Sequence, residues 1–319
     1  VSAHRRACHP TSEVTMAEDK AEDRAEDSAP SPANRSPFTT TGGQAGYFAA
    51  YDAVLAKWPV TAEPVRLRSP YGTTHVNVCG PRDGEPLVLL HGGGTTSTVW
   101  FGQVEQLSRT RRVYAVDTIG DAGRSVADGR PVTAPADLMD WLDGLLGGLG
   151  LDAVDLCGHS YGGWLALGYA LHAPQRVRRL ALLDPTDCFA GLRLSYRLHA
   201  VPQFVRPSAE RTRAFIGWET GGAAVDPTWL RLVCLGAEFP RSKVVMPRRP
   251  APERLRAAAV PALVLLAERS RAHDIREVAA GARRLLPHAV TEVLPGVSHH
   301  SVPGEDGGRL GRALEEFLG

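Results

Sequence analysis

Short apolar runs alternate with stretches of helical spacing over most of this chain, and that rhythm constrains the fold more than any other feature. The runs fall at residues 87–90, 113–117, 154–157, 180–184, 262–267 and 291–294. Helical patterns lie near 98–108, 135–149, 161–173, 274–286 and 306–318. Runs that are apolar throughout must be covered on both faces, so the pattern predicts an α/β fold with a mostly parallel sheet between two helical layers. Residues 65–69 and 74–79 flank Pro70-Tyr71-Gly72 and read as an antiparallel hairpin on the sheet's edge. Before them Tyr47, Phe48, Tyr51, Val54, Leu55 and Trp58 recur at helical spacing up to Pro59.

Two segments break the rhythm. Between residues 185 and 260 there are only helical fragments, near 192–200, 208–219 and 227–238. Twelve Arg and Lys against six Asp and Glu make this insert basic. It reads as a helical lid over the carboxyl edge of the sheet, where open α/β folds bind ligands; its charge alternatively serves only to solubilise an exposed face. At the other end, Ala-Glu-Asp-Lys, Ala-Glu-Asp-Arg and Ala-Glu-Asp-Ser follow one another from Ala17, and Pro30, Pro32 and Pro37 come next. Such a segment has too little apolar surface to offset the entropy of ordering it. Residues 1–37 are therefore expected to be a disordered acidic, proline-rich tail, and 38–319 the folded domain. Met16 directly precedes the repeat, so residues 1–15 read as an upstream extension with translation beginning at Met16; intact mass of the native protein tests this.

A chain of 319 residues can bury roughly three quarters of its unfolded surface without metals or disulfides. A net charge of +1 gives no overall field toward nucleic acid or an anionic membrane. The longest apolar stretches are far shorter than the roughly 20 residues of a membrane span. Five scattered cysteines without a CxxC pair argue against a disulfide framework and a zinc cage. They suit a reducing cytoplasm, and no apolar export core follows Arg5-Arg6.

The chemistry concentrates at Gly158-His159-Ser160-Tyr161-Gly162-Gly163, where the run 154–157 gives way to a helix. A G-x-S-x-G turn this tight forces a strained backbone on its serine and exposes the hydroxyl at the sheet's edge. A glycine-rich turn can also be purely structural; the strand before it and the helix after it favour a nucleophile, Ser160. His91-Gly92-Gly93-Gly94 follows the run 87–90. Acyl transfer needs backbone N–H groups aimed at a developing oxyanion, and glycines let the main chain approach substrate. Gly93 and Tyr161 are the expected donors.

With these motifs the chain from about Phe38 onward resembles the α/β-hydrolase superfamily, and Asp117-Thr118-Ile119-Gly120-Asp121-Ala122-Gly123-Arg124-Ser125 looks like that superfamily's turn after the next strand. The resemblance implies an eight-stranded sheet, a lid and a triad in the order Ser, acid, His. Ser160 argues against the dehalogenase and epoxide hydrolase branches, which use an aspartate. Pro295-Gly296-Val297-Ser298-His299 resembles the loop that carries the base, which points to His299, with the adjacent His300 as the alternative. His159 is expected to be structural and His91 to shape the oxyanion turn. The acid departs from the pattern: Ser270 stands where relatives usually carry it. Three carboxylates remain open. Asp184, at the end of the run 180–184, comes first; Asp274 is the alternative, although Asp274-Ile275-Arg276-Glu277 also reads as a capping box; Glu268 follows its strand closely and reads as too early to reach the base.

The expected reaction is hydrolysis of a small carboxylic ester, a thioester or a lactone through an acyl-enzyme on Ser160, with no metal or organic cofactor and a small acyl substrate as partner. A non-catalytic ligand-binding protein is one rival, kept alive by Ser270. A lyase or a cofactor-free peroxidase on the same scaffold is another. Trp100, Trp164, Trp218 and Trp229 suit either a substrate pocket or, preferably, the core.

Overall fold

A computed structural model describes residues 41–239, 242, 244–305 and 308–319. The expected tail of residues 1–37 and the start at Met16 lie outside the described residues. Along the described chain the elements are α1 (Thr41–Leu55), β1 (Glu63–Ser69), β2 (Gly72–Cys79), β3 (Glu85–Leu90), α2 (Val104–Leu107), β4 (Arg111–Val116), α3 (Pro135–Gly148), β5 (Val154–His159), α4 (Tyr161–His172) and β6 (Val177–Leu183). There follow α5 (Leu194–Val205), α6 (Ala209–Glu219), α7 (Pro227–Gly236), α8 (Pro252–Arg256), β7 (Ala262–Ala267), α9 (Ile275–Leu285), β8 (Ala289–Leu294) and α10 (Arg309–Leu318).

The strands form one eight-stranded sheet in the order β1-β2-β4-β3-β5-β6-β7-β8. The predicted hairpin β1–β2 closes on Ser69↔Gly72, and β2 pairs antiparallel with β4. Every further pairing, from β4–β3 to β7–β8, is parallel. Successive residues of a strand face opposite sides, and both sides here are apolar. Leu87 and Leu89 pack with Tyr47, Tyr51 and Trp100. Val88 and Leu90 pack on the other face with Trp141, Trp164 and Tyr169. The six predicted parallel strands are all present. The pattern near 98–108 is a 3₁₀ stretch, Ser97–Gly102, followed by the short α2, because Ser97, Thr98, Val99 and Trp100 are buried in succession rather than on one α-helical face.

Register aligns the carboxyl ends of the central strands. Gly158 stands beside Leu90 and Leu182, and Leu182 beside Val264. Everything that follows β3, β5, β6 and β7 therefore emerges on one edge. Between β6 and β7 the chain makes the helical excursion α5–α8, with no strand among its described residues. Its return crosses α4: the Tyr161 hydroxyl donates to the Val245 carbonyl at 3.0 Å and Trp164 Nε1 to the Arg248 carbonyl at 3.0 Å.

At the opposite edge the buried Arg111 guanidinium pairs with the buried Asp155 carboxylate and donates to the Leu318 carbonyl. It thereby joins β4, β5 and the end of α10. Removing one partner of a buried pair leaves an uncompensated charge. Arg111→Ala is expected to cost about 3 kcal/mol, read as a fall in Tm of about 5 to 10 °C in a thermal melt; an unchanged Tm would mean that Arg178 and Arg179, both within 4 Å of Asp155, replace it.

Candidate active site

The elbow forms because two glycines permit it. A Cβ on Gly158 would run into the carbonyl of Gly162, and one on Gly162 into the carbonyls of Leu90 and His91. Strand, turn and helix can pack this closely only without those side chains. Ser160 between them has φ +53°, a left-handed conformation that costs a non-glycine residue energy. Its hydroxyl stands half-buried at the start of α4.

Ser160 Oγ lies 2.8 Å from His299 Nε2, and His299 Nδ1 lies 2.6 Å from Asp184 Oδ2. The hydrogen-bond pattern assigns the imidazole proton to Nδ1, donated to the carboxylate, and leaves Nε2 to accept from the serine. Thr186, which the sequence gave no reason to single out, places Oγ1 3.0 Å from Ser160 Oγ. Asp184 is fully buried and also has a positive φ, +44°. Besides His299 it accepts from Ser270 Oγ at 2.7 Å, His273 Nε2 at 2.9 Å and the Ala267 N–H at 3.1 Å. Burial alone would raise its pKa; the charges and hydrogen bonds of His273 and His299 outweigh that and hold it well below the ordinary carboxylate value. For His299, burial opposes charge, but the hydrogen bond and charge of Asp184, joined by Glu219, raise its pKa above the ordinary imidazole value.

The other carboxylates lie elsewhere. Asp274 caps α9 by accepting from the N–H groups of Arg276 and Glu277 and pairs with Arg193 at 3.1 Å. Glu268 accepts from the Gly296 N–H at 2.7 Å. Neither is hydrogen-bonded to His299. His300 Nε2 lies 3.4 Å from the Tyr196 hydroxyl, and burial pushes its pKa down to about 4. His159 Nε2 donates to the His299 carbonyl at 2.8 Å, and burial, with His299 and His300 nearby, keeps it neutral.

The glycine turn after β3 is braced from behind. The Gly92 carbonyl accepts from His91 Nδ1 at 2.8 Å, from Thr95 Oγ1 at 2.8 Å and from the Thr95 N–H at 3.2 Å. His91 Nε2 accepts from the Thr118 N–H at 3.0 Å. In a planar trans peptide the N–H opposes the carbonyl, so the Gly93 N–H points away from these donors. A Cβ on Gly93 would stand 3.6 Å from that of Tyr161. Tyr161 begins α4, and the first N–H groups of a helix have no partner within it. The glycine turn after β3 and the start of α4 next to Ser160 are thus in close contact.

Sequence reasoning missed His273, Thr186 and Glu219. The buried Glu219 carboxylate at the end of α6 accepts from the N–H groups of His299 and His300. No local motif marks any of the three, because each meets the site through contacts at least 26 residues apart in sequence. Of the four tryptophans weighed as pocket residues, Trp100, Trp164 and Trp229 are buried; Trp218 stacks on His199 with ring centroids 3.9 Å apart. The described cysteines are buried and unpaired, and burial raises their thiol pKa values, Cys79 to about 11, so they are poor nucleophiles. No helix among the described residues is long and apolar enough to cross a membrane.

The chain is similar to known proteins. The chain is 32% identical over 199 residues to carboxylesterase YbfK of Bacillus subtilis, a match spanning 60% of this chain and 64% of that protein. It is 29% identical to the uncharacterized carboxylesterase nap of the same organism, over 79% of this chain and 86% of that one. The crystal structure of naproxen esterase from Bacillus subtilis superposes with a TM-score of 0.81 at 26% identity, over 88% of this chain and 99% of that one. The alpha/beta hydrolase family model matches residues 87–312. With the sheet order, the elbow and this match together, the chain belongs to the alpha/beta hydrolase family.

Proposed function

We propose that the protein is a serine hydrolase that cleaves small carboxylic esters through an acyl-enzyme on Ser160. The observation that carries this reading is the continuous hydrogen-bonded chain from Ser160 Oγ through the His299 ring to Asp184, at 2.8 and 2.6 Å. The similarity to carboxylesterases supports the ester as substrate class. His299 Nε2 takes the Ser160 proton as Oγ attacks the carbonyl carbon, and buried Asp184 stabilises the imidazolium that forms. The N–H groups of Gly93 and Tyr161 hold the oxyanion. His299 then gives its proton to the departing alkoxide, so the alcohol leaves neutral. In the second half-reaction it deprotonates water, which releases the acid and restores Ser160. The helical insert roofs this chemistry as a lid. Beyond ester and water, these steps use side chains and backbone of this chain, and the buried, unpaired thiols of the described cysteines suit a cytoplasmic enzyme.

Labelling with a fluorophosphonate probe tests the reading: modification of Ser160 is expected, and an unlabelled, folded protein would sink it in favour of a ligand binder. A panel of p-nitrophenyl esters of graded chain length then defines the acyl group.

The pH dependence has a definite sign. His299 acts as base only when neutral, and its folded-state pKa is raised. The acid limb of kcat/KM is therefore expected to have its midpoint above about 6.5, the ordinary histidine value, with activity lost as pH falls through it. A profile flat between pH 5 and 8 would count against His299.

A further inference from the structure

We infer that Glu219, delivered by the helical insert, is a positioning residue for the base: its carboxylate holds the loop of His299 and His300 so that the His299 ring meets Ser160. The inference rests on the reading of His299 as the base.

Glu219 occupies a place where a carboxylate is costly. It is 1% exposed, and it ends α6, where the helix dipole disfavours negative charge. A buried carboxylate in such a position needs strong donors, and its donors are backbone groups of two loops. One oxygen accepts from the His299 N–H at 3.1 Å and the Arg271 N–H at 3.4 Å; the other accepts from the His300 N–H at 3.2 Å. A single side chain of the insert thus gathers the loop after β7 and the loop after β8.

The consequence falls on the His299 main chain. Its N–H is held by Glu219 and its carbonyl by His159 Nε2 at 2.8 Å. With both ends of the residue fixed, the ring has little freedom except the rotation that Asp184 and Ser160 then set. The insert also closes over the ring itself. Tyr196 of α5 stands edge-on to His299 with centroids 5.9 Å apart, and Phe215 of α6 stands edge-on to His300 at 5.5 Å. The roof and the base are therefore one packed unit, and displacing α6 would release the base loop.

The charge has its own readout. The groups that face His299 are Asp184 after β6, His159 at the end of β5, His273 after β7, His300 on its own loop, and Tyr196 and Glu219 from the insert. Asp184 and Glu219 are the acidic ones, and both raise the His299 pKa. Removing the Glu219 charge should therefore lower the His299 pKa, a readout separate from any change in Tm.

The test compares the full-length protein with Glu219→Gln, which keeps an acceptor but loses the charge, using kcat, KM and the pH profile on one p-nitrophenyl ester. Expected are a fall in kcat of about 10- to 100-fold, as for a misplaced reacting group, and a KM within about twofold. The acid limb should also move to lower pH, because the Glu219 charge raises the His299 pKa. A folded variant with wild-type kcat and midpoint, even one of lowered Tm, overturns the inference while the hydrolase reading stands. Should the Gln variant not fold, Glu219→Asp carries the test, since it keeps the charge but draws the carboxylate back by about 1.5 Å. It is expected to lose kcat with an unshifted midpoint, and wild-type kcat in that variant overturns the inference. A wild-type protein that neither labels with fluorophosphonate nor turns over ester fails one step earlier, at the hydrolase reading.

Discussion

Ser160→Ala is expected to lower kcat for ester hydrolysis by about 10⁴- to 10⁶-fold, the range that follows loss of a nucleophile acting in concert with its base. The fold should survive. Alanine differs from serine by one oxygen, and the strained φ of +53° is imposed by the turn around it rather than by the side chain. Thr186 offers no substitute, because its hydroxyl bonds to Ser160 Oγ and is not hydrogen-bonded to His299. Steady-state turnover and a thermal melt of the same preparation check both halves. Activity near wild type in a folded variant would move the chemistry away from the elbow.

The second large effect is expected at Asp184. Asparagine has nearly the same shape, but its amide cannot stabilise an imidazolium and favours the wrong tautomer, so Asp184→Asn should reduce kcat by about 10⁴-fold. Asp274→Asn is the contrast. Asparagine caps helices as well as aspartate does, and the ion pair lost with Arg193 is between side chains 40% and 48% exposed, where such pairs contribute little. Its kcat should stay within about twofold of wild type. If the Asp274 variant lost activity and the Asp184 variant kept it, the orienting role would pass to Asp274.

How far the sequence reaches into this site depends on the range of each interaction. The parallel strands were readable because apolar runs need no knowledge of their partners, and Ser160, His91 and Gly93 because a turn after a strand is a local event. The acid was harder. The chain ranks Asp184 ahead of Asp274 and Glu268 without excluding either, and only folding shows which of them stands beside His299. Asp184 is 115 residues from His299 and Ser270 is 86 from Asp184, separations over which no spacing rule operates. The capping pattern at Asp274, by contrast, is local, and the side chain does cap α9. The insert was legible as helices, yet the carboxylate it sends to the base loop was not. Glu219 sits at a helix end with no motif around it, and its burial comes from tertiary packing.

The hydrogen bond between Ser270 and Asp184 bears on how such a site changes in evolution. Relatives that carry their acid after β7 would present it from the position Ser270 occupies, and that side chain here touches the very carboxylate that faces His299. Two positions, 86 residues apart along the chain, therefore address one point in space. A lineage can hand the acid from one strand to its neighbour without moving nucleophile or base. The intermediate with carboxylates at both positions would hold them close enough to share a proton, so one stays ionised beside the histidine throughout. The residue left behind need only become a small donor, and serine meets that need.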